Sequence, residues 1–175
     1  MVVDPALDSL YSGVRHCLVG YLDVLRTYFY SMLARLFEIL PLVSAMPSLT
    51  PKAIAKVNIQ PLLKEVANKP ALLAGLLLYI DDLQGSHHVS QNLHNQTGSY
   101  WHAIMHRREG DFWNSKYWLR LTGQHPATQR TQNFDAVIFF DAVANSASDT
   151  DQTLLELQRI EWLDLFEWCL ENDPA

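Results

Sequence analysis

Residues 71–80 read Ala-Leu-Leu-Ala-Gly-Leu-Leu-Leu-Tyr-Ile and, on a helical period, leave no polar face. A helix that is apolar all round is stable only in the middle of a core or inside a membrane. Ten residues are about half of the ~20 that a membrane span needs, and Asp81-Asp82 follow at once. The core is therefore the expected place, and the rest of the chain has to wrap a helix drawn over 71–83. A second oily stretch, 27–46, is interrupted by Arg35, Glu38 and Pro41 and does not qualify as a span either.

The wrapping material reads as helix almost throughout. From 6 to about 40, Leu7, Leu10, Val14, Leu18, Leu22, Leu25, Met32, Leu33 and Leu36 recur at helical spacing, as one long or two consecutive helices. Thr50-Pro51 predicts an N-cap with proline at the first helical position and a helix over 51–57. Gln60-Pro61 starts another, reaching 67. Helices follow over 100–108, with Ser99 as N-cap and Gly110 as stop, and over 112–121, closed by Gly123 and Pro126. The stretch 127–133 is a polar loop. In 134–143, Val137-Ile138-Phe139-Phe140 suits a strand, but Asp135-Ala136 and Asp141-Ala142 favour helix. An amphipathic helix over 150–170 closes the chain. With no second strand to pair, the expectation is an all-α, single-domain helical bundle over 1–175: N-terminal helices 1–48, a His-rich central segment 51–126 and C-terminal helices 134–172.

Charge and cysteine usage narrow the function. Thirteen Lys+Arg against 19 Asp+Glu give a net charge of −6, with the basic residues scattered. That excludes a basic face for phosphate backbones, so no nucleic-acid partner is expected. Cys17 and Cys169 sit at opposite ends in apolar helical patterns, against a disulfide framework or a cysteine metal site. No basic n-region precedes an apolar run, so the expected setting is cytoplasmic, with no membrane span. Nucleotide-binding glycine motifs and the serine-hydrolase elbow are missing as well.

What remains is histidine. Five of the seven lie between 87 and 106. On a helix, His102, His106 and Glu109 stand at i, i+4 and i+7 and share one stripe. Two imidazoles a turn apart can chelate a divalent ion, and His87, or Glu109, is placed to complete the shell. Ser90 and Gln91, one turn on, are expected to hold the His87 ring. The spacing lacks the glutamate of the zinc-protease motif, so it names no reaction. The alternatives are a metal-free acid–base pair and a structural hydrogen-bond network. His94 and His125 read as loop histidines, and His16 as the edge of the first helix.

Around these, Gln91, Trp101, Arg108, Asn114 and Tyr117 are the candidate substrate contacts. Trp101, with Trp113 and Trp118, would supply aromatic wall, and Arg108 would reach a carboxylate of a substrate or of a neighbouring helix. Arg107 lies opposite His102 and reads as a salt-bridge or surface charge. Arg108 and Lys116 favour an anionic group on the ligand.

The segments Ser86-His87-His88-Val89-Ser90-Gln91 and Tyr100-Trp101-His102-Ala103-Ile104-Met105-His106-Arg107-Arg108-Glu109, followed by Asn114-Ser115-Lys116-Tyr117-Trp118, resemble a family of uncharacterised bacterial and fungal proteins. That family carries S-H-x-x-S-Q, Y-W-H-x-I-M-H-R-R-E and N-x-K-Y-W. The similarity spans roughly 81–126, with a fainter echo at Gln158, Glu161, Trp162 and Phe166. It implies that the family's histidines fall on His87, His102 and His106 and its glutamate on Glu109, with no activity attached. The family often has an acidic residue three places before its first histidine. Here that place is Gln84, so no carboxylate role carries over.

The expected function is thus a small-molecule enzyme with a catalytic set of His87, His102, His106 and Glu109. The same four residues are the candidate ligands of a divalent zinc, iron or manganese ion, for a hydrolase or lyase. The alternatives are a metal-free acid–base enzyme of cyclase or isomerase type, or a non-catalytic binding module. The oily 21–40 stretch suggests a homodimer through the N-terminal helices.

Overall fold

A computed structural model describes residues 31–132 and 134–172. Residues 31–39 are helical and are labelled α1. The helices that follow are α2 (Gln60–Glu65), α3 (Pro70–Tyr79), α4 (Leu83–Ser90), α5 (Gln96–Glu109), α6 (Phe112–Thr122), α7 (Ala136–Ala144) and α8 (Gln152–Asn172). Short 3-10 turns lie at Leu42–Ser44 and Pro126–Gln129. No strand occurs among the described residues, so the all-α expectation holds, and 134–143 is resolved in favour of helix. The expectations for 6–30, including His16, Cys17 and most of the proposed dimer face, lie outside the described residues. Of that face, Met32, Leu33 and Leu36 are buried against the chain's own core. No helix among the described residues is long and apolar enough to cross a membrane.

The apolar run does lie at the centre. Helix α3 packs on α4, α5 and α8, and most of its side chains are buried. Gly75 makes this possible: a Cβ there would come within 2.8 Å of Phe166 on α8 and 2.9 Å of Trp101 on α5. The bare backbone also leaves its carbonyl open to Trp162, whose Nε1–H donates to Gly75 O at 2.8 Å.

Two boundaries differ from expectation, and both matter to the site. The helix drawn over 71–83 stops at Tyr79, because Asp81 adopts φ 66°, a left-handed conformation that Asp tolerates better than most residues. Asp82 then caps α4, its Oδ1 accepting from Gly85 N–H at 2.9 Å. The central polar run is consequently helical from Leu83 to Ser90. It is helical again from Gln96, where Asn95, not Ser99, is the N-cap and accepts from Gly98 N–H at 2.8 Å.

The helix expected over 51–57 does not form. Thr50, read as its cap, donates from both backbone N–H and Oγ1 to Asp149 Oδ1, at 2.7 and 2.6 Å. Ala55 N–H goes to Ile80 O at 2.8 Å, so this segment satisfies its backbone against other parts of the chain.

The caps of α5, α6 and α7 follow local rules. Gly110 stops α5 at φ 83°. Asp111 accepts from Asn114 N–H at 3.1 Å, and Asp135 accepts from Val137 and Ile138 N–H at 2.8 and 3.0 Å.

Candidate functional site

Helix α5 is the spine of the site. It packs between α3, α4, α6 and α7, so even its two arginines are enclosed. Arg107 is fully buried and donates from Nη2 to Glu161 Oε2 at 2.6 Å, while Glu161 Oε1 accepts from Tyr100 Oη–H at 3.0 Å. The guanidinium carbon lies 4.5 and 4.3 Å from the centroids of Phe139 and Phe140, so the ion pair is roofed by aromatic faces. The surface option for Arg107 is thereby excluded.

Arg108 is fully buried too. It donates to Asp81 Oδ1 at 2.6 Å and to Leu78 O at 2.9 Å. This is the expected bond to a neighbouring segment, and it leaves no surface on Arg108 for a substrate. Breaking either pair would strand an uncompensated buried charge, at about 3–5 kcal/mol.

The Arg108–Asp81 pair has a geometric consequence. Asp81 is the strained residue of the α3–α4 turn, and Arg108 is flanked on α5 by Arg107 and Glu109, two residues beyond His106. The pair ties the start of α4 to the end of α5 and so fixes His87 opposite His102 and His106. The ring centroids of His87 and His102 are 4.7 Å apart, those of His102 and His106 4.7 Å, and those of His87 and His106 5.2 Å. One potential ligand nitrogen from each of the three lies within 4.8 Å of the others. Nitrogens held tetrahedrally at 2.0–2.1 Å around one ion are about 3.4 Å apart. Rotation of the side chains by an ångström or so closes that difference.

The outer nitrogens are already occupied. His106 Nδ1 is 3.0 Å from Glu109 Oε2; a carboxylate only accepts, so Nδ1 carries the proton and Nε2 keeps its lone pair. Glu109 Oε1 accepts from Gln84 Nε2–H at 3.1 Å. His102 Nδ1 is 3.4 Å from Ser90 Oγ, whose own proton points at His87 O at 3.4 Å. That contact holds the His102 ring by its Nδ1. On its other side the His102 ring lies against Trp118, with centroids 4.1 Å apart.

Burial pushes His102 down to about 4, and the neighbouring His106 and His87 add to it. Burial also lowers His106, against the opposing pull of Glu109. Both imidazoles on α5 are therefore neutral near pH 7, the form that coordinates a cation.

Among the sequence-derived candidates, His87, His102, His106 and Glu109 come together. Glu109 does so through its bond to His106 Nδ1 and is not one of the three residues whose potential ligand atoms lie within 4.8 Å of one another. Ser90 serves His102 and not His87, and Gln91 is exposed at the end of α4. Trp101 is fully buried between α3 and α5 and offers no pocket wall. Asn114 is occupied with Asp111, and Tyr117 edges Trp118 from an exposed position. Lys116 pairs with Asp141. With Arg108 and Lys116 both engaged, the expectation of an anionic ligand loses its cations.

Asp81 and Gln84 carry positions that local patterns did not reveal, whereas Trp118, read as aromatic wall, does lie against the His102 ring. The signal for the first was present: Asp82 three places before Gly85 is a capping arrangement, which marks Asp81 as a turn. His125 is a loop histidine, as its setting in the sequence implies, in the link between α6 and α7. It is buried, its Nδ1 accepting from Ala127 N–H at 3.2 Å and its Nε2–H donating to Thr97 Oγ1 at 3.1 Å.

No family model, curated protein or solved structure matches the chain. The three-histidine cluster therefore rests on its own geometry.

Proposed function

We propose that His87, His102 and His106 hold one divalent metal ion and that the protein is a small metal-assisted hydrolase or lyase acting on a small organic molecule. The observation that carries this is the common aim of the three rings. One potential ligand nitrogen from each gathers within 4.8 Å of the others, and on both α5 histidines Nδ1 has a hydrogen-bond partner.

Three imidazole nitrogens suit zinc, iron and other first-row divalent ions better than magnesium or calcium, which prefer oxygen. A three-residue set leaves a position open. There the ion would polarise a carbonyl or phosphoryl oxygen and lower the pKa of water toward ~7. The chain's own residues hold and aim: Glu109 and Ser90 fix the two buried rings, and Trp118 closes the far side of His102. His87, the least buried of the three, leaves the open face on its own side.

The test is elemental analysis of purified, untagged protein beside His102→Ala and His106→Ala, followed by a screen of small esters, amides and elimination substrates. Near one equivalent of metal in the wild type, lost in both variants with unchanged far-UV circular dichroism, and metal-dependent turnover are expected. No metal after incubation with zinc, iron or manganese would overturn the reading and leave metal-free acid–base chemistry or a structural network. Stoichiometric metal without turnover would reduce the site to a binding one.

A further inference from the structure

Resting on the metal reading above, we infer that Gln84 and Glu109 form a two-step positioning relay that sets the ion affinity of the site from outside the ligand shell. Glu109 divides its two carboxylate oxygens. Oε2 takes His106 Nδ1 at 3.0 Å, and Oε1 takes the side-chain N–H of Gln84 at 3.1 Å. Both residues are exposed, so Glu109 alone would be free to swing between rotamers. Gln84 comes from α4, one turn before His87, and Glu109 ends α5, three residues after His106. The relay therefore spans the same two helices as the three histidines and closes the site along its rim.

Its chemical effect is specific. Which ring nitrogen of a histidine binds a cation is decided by the bond that the other nitrogen makes. With Glu109 in place, the His106 proton is on Nδ1 and Nε2 keeps its lone pair for coordination. Without it, the proton is free to move to Nε2 and block coordination. The carboxylate also makes the imidazole a stronger donor, and loss of such outer partners costs about 10–100-fold in metal affinity. Gln84 acts one step further out, by denying Glu109 its other rotamers. A glutamine supplies a donor for Oε1; a carboxylate in its place would repel Glu109.

The first readout needs no metal. Long-range proton–nitrogen NMR of the histidine side chains at neutral pH should show His106 as the Nδ1–H form in the wild type. Glu109→Ala should convert it largely to Nε2–H, and Gln84→Ala should give a mixture. The second is titration with cobalt(II). Glu109→Ala should bind cobalt 10–100-fold more weakly than wild type. It should still reach the wild-type visible spectrum at saturation, because no ligand has been removed. Glu109→Gln, whose amide oxygen still accepts, should recover part of the loss.

An unchanged tautomer and affinity in Glu109→Ala would overturn the relay. So would an altered saturated spectrum, which would make Glu109 a ligand. If the wild type binds no cobalt, the metal reading fails and the relay's effect on affinity falls with it, while the NMR arm still decides whether Glu109 sets the His106 tautomer.

Discussion

Among the described residues, two regions bury histidine, and they do it in opposite ways. His125, in the link between α6 and α7, has both ring nitrogens used by the chain: one accepts from Ala127 and the other donates to Thr97. Its ring is wedged between Tyr100 and Trp168 at centroid distances of 5.6 and 4.6 Å. At the other end of α5, His102 and His106 each have one nitrogen in a hydrogen bond with the protein, and their rings gather with that of His87. Burial depresses the pKa of all three. The pKa therefore does not separate a structural histidine from a site histidine; the count of satisfied nitrogens does.

That distinction can be broken by a pair of truncations. His102→Ala should abolish ion binding, by a thousandfold or more, and leave the melting temperature close to wild type. His125→Ala should leave ion binding intact and lower stability by about 2–4 kcal/mol, since it opens a cavity and strands the Ala127 N–H. Denaturant unfolding and ion titration of both variants read the two effects separately. Two equally unstable variants with equal ion affinities would erase the distinction.

A smaller effect concerns pH. Folded His125 titrates at about 4 because it is buried, whereas an unfolded histidine titrates near 6.5. Between these values the unfolded chain binds the extra proton, so the contribution of neutral His125 is complete above pH 6.5 and fades as pH falls toward 4. The stability advantage of wild type over His125→Gln should shrink across that window, by up to about 3 kcal/mol. Equilibrium unfolding at several pH values checks it; a constant advantage would mean that His125 is not held neutral.

The smallest expected effect is at Ser90. Its contact with His102 is long, 3.4 Å, so Ser90→Ala should weaken ion binding only a few-fold, less than Glu109→Ala. A loss as large as that of the Glu109 variant would show that the hydroxyl aligns His102 far more strongly than its distance implies.

Much of this site is local in sequence, and that part was legible. The i, i+4 relation places His102 and His106 on one face whatever the partners are, and Gly110 sets the end of α5. The location of His87 beyond the apolar helix was enough to select it as the third ring.

What was illegible depends on contacts between distant residues. The roles of Arg107 and Arg108 are decided by Glu161, 54 residues away, and by Asp81, 27 residues away, so no periodicity could reveal that both are fully buried. Pro51 was a sound start signal for a helix, but Asp149 competes for the Thr50 N–H and hydroxyl from 99 residues on. Spacing puts Glu109 near the three histidines, and only the rotamer shows that its Oε2 meets His106 Nδ1. His125 is the loop residue its setting implies, but its burial depends on Trp168 of α8, 43 residues away, and no local pattern shows it.

The central claim is that three imidazoles, and no carboxylate, bind one ion. Zinc-edge X-ray absorption of protein loaded with one equivalent of zinc tests it most directly. The account predicts three imidazole nitrogens at about 2.0–2.1 Å with one or two lighter-atom ligands, falling to two imidazoles in His87→Ala. A shell of one imidazole or none, or a spectrum that His87→Ala leaves unchanged, would contradict it.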